Sequence, residues 1–148
     1  MDNMNGMTIT AVNSVFYLTV PGLYPAPVKI EGYSTDAAIS MAQRNPVIAQ
    51  VGVDGHTSFG LVMTTKEITV TLAADSPSLR LFEDWAAAQD ALREVLLCNA
   101  EFTLPAIGRK YVGSRGGMTA VQDMPVVAQT LQASAFVITF DRWESSPV

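Results

Sequence analysis

Only one stretch of this chain carries the period of a helix, and strand-like runs lie on both sides of it. Between Ser76 and Asn99 the apolar residues Leu79, Phe82, Trp85, Ala86, Leu92, Val95 and Leu96 recur at helical spacing and form one face. Ser76 suits the N-cap, and Pro77 suits the first helical position, where no amide donor is required. Glu83 and Asp84 lie toward the positive end of the helix dipole, and Cys98-Asn99 is read as the stop. About twenty residues at ~1.5 Å rise predict a helix of ~30 Å. It should lie across a sheet, with Leu79, Phe82, Trp85, Leu92 and Leu96 against the core. Strands, one helix, then more strands is not the alternation of a parallel βαβ sheet. The order predicts a mainly β fold with one α-helix, an antiparallel β-sandwich or barrel with the helix flanking it.

The strands follow from alternation and its interruptions. Thr8 to Val20 is rich in β-branched and aromatic residues and reads as one strand or two short ones. Three prolines in Pro21–Pro27 exclude a central strand, so the segment is read as an extended connection. Val28–Tyr33 alternates. Ala37–Ala42 is open between helix and strand, and Asn45-Pro46 breaks it. Val47–Val53 and Thr57–Thr64 flank Asp54-Gly55, a hairpin turn in which glycine accepts positive φ. Glu67–Leu72 alternates cleanly. Glu101–Leu104 ends at Pro105, and Gly108–Val112 follows. Gly113–Gly117 reads as a mobile loop, Asp123–Pro125 as a break, Leu131–Phe140 as a last long strand and Glu144–Val148 as a loose tail. One domain, 1–148, is expected, with an extended N-terminal segment 1–11 and a long hairpin region at about 37–59.

Charge and chemistry narrow the function. Of the 148 residues, 49% are hydrophobic and 16% charged, against about 25% charged in ordinary chains. That leaves too little solvating surface for a comfortable monomer, and apolar surface should face other subunits. A net charge of −5 argues against a surface that grips phosphates. The single Cys98 forbids an intrachain disulfide and a multi-cysteine zinc site, and the single His56 excludes a two-histidine metal site. No apolar run is long enough to span a bilayer, and Met1–Met7 has no secretion-signal pattern, which points to a cytoplasmic origin. His56 reads as a solvated hairpin residue, not as a base oriented by Asp54. Cys98 reads as a small buried hydrophobe. Gly113–Gly117 lacks the Gly-Lys-Ser/Thr of a phosphate loop, and Glu83/Asp84 reads as a solvated pair. No catalytic, cofactor-binding or metal residue is therefore expected.

The order of several features resembles a known family. A hairpin turn at Gly52-Val53-Asp54-Gly55 is followed by the alternating strand Glu67–Leu72. Asp75-Ser76-Pro77-Ser78 then opens the amphipathic helix, and Phe102-Thr103-Leu104-Pro105 and the strand Ala135–Phe140 complete the pattern. Over roughly Ile30 to Trp143 the chain resembles the tail tube proteins of tailed bacteriophages, particularly the contractile-tailed type. The resemblance implies a subunit of hexameric rings whose inner strands join into one barrel. It also implies rings stacked into a hollow tube that conducts DNA, with the helix outside and loops or arms reaching neighbouring rings. Implied partners are further copies of the chain, sheath, baseplate and terminator proteins. The implied place is the virion, with assembly in the host cytoplasm. A terminator, a minor tail protein, a secretion-tube homologue or a β-sandwich binding module are the alternatives.

Two sets of residues follow for a tube. A lumen wall must not hold phosphates, so it should be net negative. Its candidates are Glu31 with Lys29, then Glu67, Thr69 and Thr71, and Gln50 beside the hairpin. Arg109, Lys110 and Arg115 are expected elsewhere, on the outside or at ring contacts. Met41, Val47, Ile48, Val51 and Phe59 are too apolar for a solvated hairpin and are inter-subunit candidates. Either Met1–Ala11 or the 37–59 region should cross to another subunit.

Overall fold

The protein is described by a computed structural model over residues 14–30 and 39–147. Seven strands form one antiparallel sheet: β1 (Val15–Val20), β2 (Tyr24–Lys29), β3 (Ile39–Met41), β6 (Lys66–Leu72), β7 (Cys98–Leu104), β8 (Arg109–Ala120) and β9 (Ser134–Pro147). Their spatial order is β2-β1-β7-β8-β9-β6-β3. β4 (Val47–Val51) and β5 (Thr57–Leu61) pair only with each other, as a hairpin inserted between β3 and β6. The helix α1 (Leu79–Leu92) covers one face of the sheet.

That face is the core. β6 buries Ile68, Val70 and Leu72, β9 buries Phe136, Ile138 and Phe140, and β1 buries Phe16, Leu18 and Val20. From α1, Leu79, Leu81, Phe82 and Trp85 close it, with the Phe82 ring stacked on Phe136 at 4.6 Å between centroids. The alternation expected of Glu67–Leu72 and of the last strand is what the sheet displays.

The helix is shorter than its sequence period suggested. It runs 14 residues, about 21 Å at ~1.5 Å per residue. Arg93 takes the left-handed conformation at φ 54 and donates its N–H to Gln89 O, which ends the helix. The chain then turns back. Gln89 Oε1 accepts from Leu96 N, and Leu96 O accepts from Trp85 Nε1 at 2.8 Å. Leu96 therefore packs on the core from a loop, whereas Leu92 and Val95 are exposed. Ser78, not Ser76, is the N-cap residue, and Ser76 Oγ instead accepts from Ser78 N. Glu83 and Asp84 fall beyond the first turn, where the dipole contributes little.

Three further expectations are corrected. Part of Pro21–Pro27 is strand β2, at the sheet edge, where a missing proline donor is tolerated. The segment Glu144–Pro147 is not loose, because it continues β9 against Arg109–Val112 of β8. The glycine-rich Gly113–Gly117 is not a loop but the middle of β8. Gly113 pairs with Ala100 and Gly116 with Cys98, so two residues, Ser114 and Arg115, oppose the single Asn99. Arg115 sits at φ 54, and its amide donates to Asn99 Oδ1. The bulge turns both glycines toward the Phe140 ring, which a Cβ on Gly116 would meet at 2.6 Å and one on Gly113 at 2.7 Å. Glycine serves close approach here, not chain reversal.

Cys98 lies in β7, not at a helix end, and is buried as expected. Burial pushes its thiol pKa up from 9.0 to about 12. A folded pKa above the unfolded one means that this contribution to stability is present below pH 9 and fades as pH rises toward 12. The native protein should show no reaction with a thiol reagent at pH 8, and denatured protein one thiol per chain. Rapid labelling of the native chain would contradict the burial.

Candidate functional site

The uncovered face of the sheet is polar, and its residues fall in cross-strand rows. One row crosses five strands: Lys29, Tyr17, Glu101, Val112 and Glu144 are successive register partners. The next contains Val15, Thr103, Lys110 and Ser146. Beyond the bulge, Gly117, Thr139 and Glu67 form a row, and Val137, Thr69 and Ser40 another. Directly paired residues of an antiparallel sheet share a face. Lys110 Nζ meets Glu101 Oε1 at 3.1 Å, and Thr119 Oγ1 lies 2.9 Å from Thr139 Oγ1. In these rows stand two lysines, Lys29 and Lys110, against three glutamates, Glu67, Glu101 and Glu144. The surface is a broad field of threonine, serine and paired charge: these rows hold one carboxylate in excess, and the bulge row between them adds Arg115, paired with Asp141, and the exposed Arg142.

The hairpin has the opposite character. Val47 pairs with Leu61, Ala49 with Phe59 and Val51 with Thr57, which puts these on one face. The other face carries Ile48, Gln50, Ser58 and Gly60. Val51, Phe59 and Leu61 are all more than 70% exposed. Gly55 turns the hairpin at φ 81, and Asp54 Oδ1 accepts from the backbone N of His56. Asp54 therefore stabilises a turn and does not orient the imidazole.

Among the described residues, no group of His, Cys, Asp and Glu is placed to hold a metal ion. A depression of about 340 Å³ between β2 and the start of α1 contains Tyr24 and Asp84. They satisfy each other, with Tyr24 Oη donating to Asp84 Oδ2 at 2.9 Å. That bond raises the phenol pKa, since a phenolate would lose it and face the carboxylate. No helix among the described residues is long and apolar enough to cross a membrane.

The family model described as tail fiber protein gp32 matches residues 7–144. The chain belongs to the tail fiber protein gp32 family. No curated protein matches the sequence. Solved structures supply the fold. A chain of the PVC extracellular contractile injection system sheath–tube complex superposes with TM-score 0.64 at 15% identity, covering 95% of this chain and 93% of that one. A chain of the PVC sheath/tube terminator complex gives 0.61 at 14% identity over 95% and 97%. One from the anti-feeding prophage cap gives 0.58 at 12% over 96% and 93%. This gp32-family chain thus has a tail-tube-like fold and is a structural component of a tail-type apparatus.

Against this family, the site residues sort as follows. Glu67, Thr69 and Thr71 occupy the polar face of β6, as their alternation indicated. Lys29 joins that face at the end of β2, and Glu31 lies outside the described residues. Gln50 is on the hairpin, apart from the sheet. Lys110 departs from expectation, because the register places it on the same face as Glu67, where Glu101 neutralises it. Arg109 donates to Ser145 Oγ at 3.0 Å and Arg115 pairs with Asp141 at 3.5 Å. Met41, Val47, Ile48, Val51 and Phe59 are all exposed, while Met1–Ala11 lies outside the described residues. Sequence reasoning missed Glu101 and Glu144, whose place depends on strand register. It also missed Val121, Met124, Val126, Val127 and Leu131, exposed on the β8–β9 connection.

Proposed function

We propose that this chain is the subunit of a tail tube, assembled as hexameric rings whose lumen is lined by the polar sheet face and conducts DNA. The observation that carries the reading is the division of one sheet into an apolar face sealed by α1 and a broad polar face left open. A helix outside and a sheet inside is the arrangement in which repeated copies present one chemistry to a channel. The likeness to tube-complex chains supports the fold that this needs.

Charge decides whether such a wall works. Each cation–phosphate contact strengthens DNA binding, and the contacts repeat with every copy along the tube. After Glu101 compensates Lys110, Glu67 and Glu144 stand against Lys29, so these rows hold an excess of one carboxylate per copy and do not attract phosphates. On this reading the chain is not an enzyme and takes no cofactor. It acts in the virion after assembly in the host cytoplasm, and its partners are its own copies, a sheath, a baseplate and a terminator. A terminator role is the second reading, favoured by the comparable superposition on the terminator-complex chain.

Electron microscopy of the purified chain separates the two, since a tube subunit grows tubes of indefinite length and a terminator stops at a ring. Glu67→Lys should leave assembly intact, as Glu67 is exposed, yet make tubes retain a labelled oligonucleotide at low salt and release it at high salt. Equal retention by both tubes would remove β6 from the lumen.

A further inference from the structure

The hairpin β4–β5 and the β8–β9 connection leave the sheet at opposite ends of β6. Ala42 bonds to Glu67, Val62 to Pro46, and β6 starts at Lys66, so the hairpin emerges at the Lys66 end. Ala120 pairs with Val137 and Ser134 with Leu72, so residues 121–133 emerge at the Leu72 end. The two ends are separated by about 20 Å at ~3.3 Å per residue. Both surfaces are apolar and exposed. The hairpin offers Val51, Val53, Phe59, Leu61 and Met63, and the connection offers Met124, Val126, Val127 and Leu131. Residues 45–63 and 121–133 each hold one carboxylate, Asp54 or Asp123, and no lysine or arginine; Arg44 lies at the base of the hairpin, bonded to Thr64. The Val127–Leu131 bridge and the bond from Gln132 N to Val126 O give the connection a fixed backbone shape.

We infer that the hairpin of one copy docks on the β8–β9 connection of a second copy, head to tail. The contact rests on the tube reading and names the surface that receives the hairpin. Two surfaces at opposite ends of one strand cannot meet within a copy. A contact between unlike patches is heterologous: it closes into a ring where the rotation allows and otherwise propagates along an axis, and patches at opposite ends of the strands suit the second. Size agrees as well. An exposed Val, Leu or Phe side chain presents roughly 100 Å² of apolar surface. Four or five a side, with their neighbours, bring the contact to about 1,000 Å² in total, the lower bound of a specific interface. Repetition around a ring multiplies that modest contact.

The test uses two full-length variants. Phe59→Asp spoils the hairpin and leaves the connection, whereas Val127→Asp does the reverse; Leu131→Gln is a milder second change in the connection. All three positions are exposed, so circular dichroism and unfolding midpoint should match wild type. Each variant alone should raise the concentration needed for tubes more than tenfold. Mixing the rings of Phe59→Asp with the rings of Val127→Asp should yield double rings, of twice the mass, and no tubes. The intact hairpin of one then meets the intact connection of the other. If both connection variants form tubes like wild type, or if the mixture gains no mass, the hairpin docks elsewhere and the inference falls while the tube reading stands. A wild-type chain that stays monomeric overturns both.

Discussion

Trp85→Ala should lower the free energy of unfolding by about 3–5 kcal/mol, and Phe82→Ala by a similar amount. Both side chains are fully buried, and the Phe82 ring stacks on Phe136. Trp85 loses more than volume, because its Nε1 donates to Leu96 O and so fastens the segment that returns from α1 to β7. Leu92→Ala is the informative control. Leu92 shares the helical period of the apolar stripe, yet it is 61% exposed. Its truncation should change stability by about 0.5 kcal/mol or less. Chemical denaturation of the three variants decides the matter. A cost for Leu92→Ala equal to that for Trp85→Ala would mean that the helix continues past Arg93 and covers more of the sheet.

The second large effect is on assembly. Deleting residues 45–56 should leave a soluble, folded chain that makes no tubes. The fold survives because β3 and β6 are antiparallel neighbours, Met41 opposite Ile68, and Thr57–Thr65 suffices to rejoin them. The core needs nothing from the hairpin, all of whose apolar side chains lie outside it. Assembly should fail because the deletion removes Val47, Ile48 and Val51 and leaves Phe59 without its cross-strand partner Ala49. Size-exclusion chromatography and electron microscopy read the result. Normal tubes from the deleted chain would remove the hairpin from any contact between subunits.

What could be read from the sequence depended on how local its cause was. The alternation of Glu67–Leu72 is decided by one buried face, so both the core residues and the polar row were legible. The start of the helix was legible to within two residues because Ser-Pro-Ser is a local signal. Its end was not, since the stop is an arginine in a glycine-like conformation held by Gln89. Gly113–Gly117 misled for a related reason. Glycines usually punctuate turns, but here they make room for an aromatic ring that is remote in sequence. The polar Glu144–Ser146 looks like a solvated tail because its partners, Val112 to Lys110, are more than thirty residues away. Of the polar face, Glu67, Thr69 and Thr71 belong to the alternating strand. Glu101, Glu144 and Lys110 join them only through register, which a single sequence does not display.

Cryo-electron microscopy of the purified wild-type chain tests the central claim most directly. It should show stacked six-fold rings around a hollow lumen. Glu67, Thr69, Glu101 and Thr103 should face the channel, α1 should lie outside, and the inner wall should be net negative. A chain that remains monomeric at high concentration, or a tube whose channel is lined by α1 or by a net-positive wall, would contradict the account.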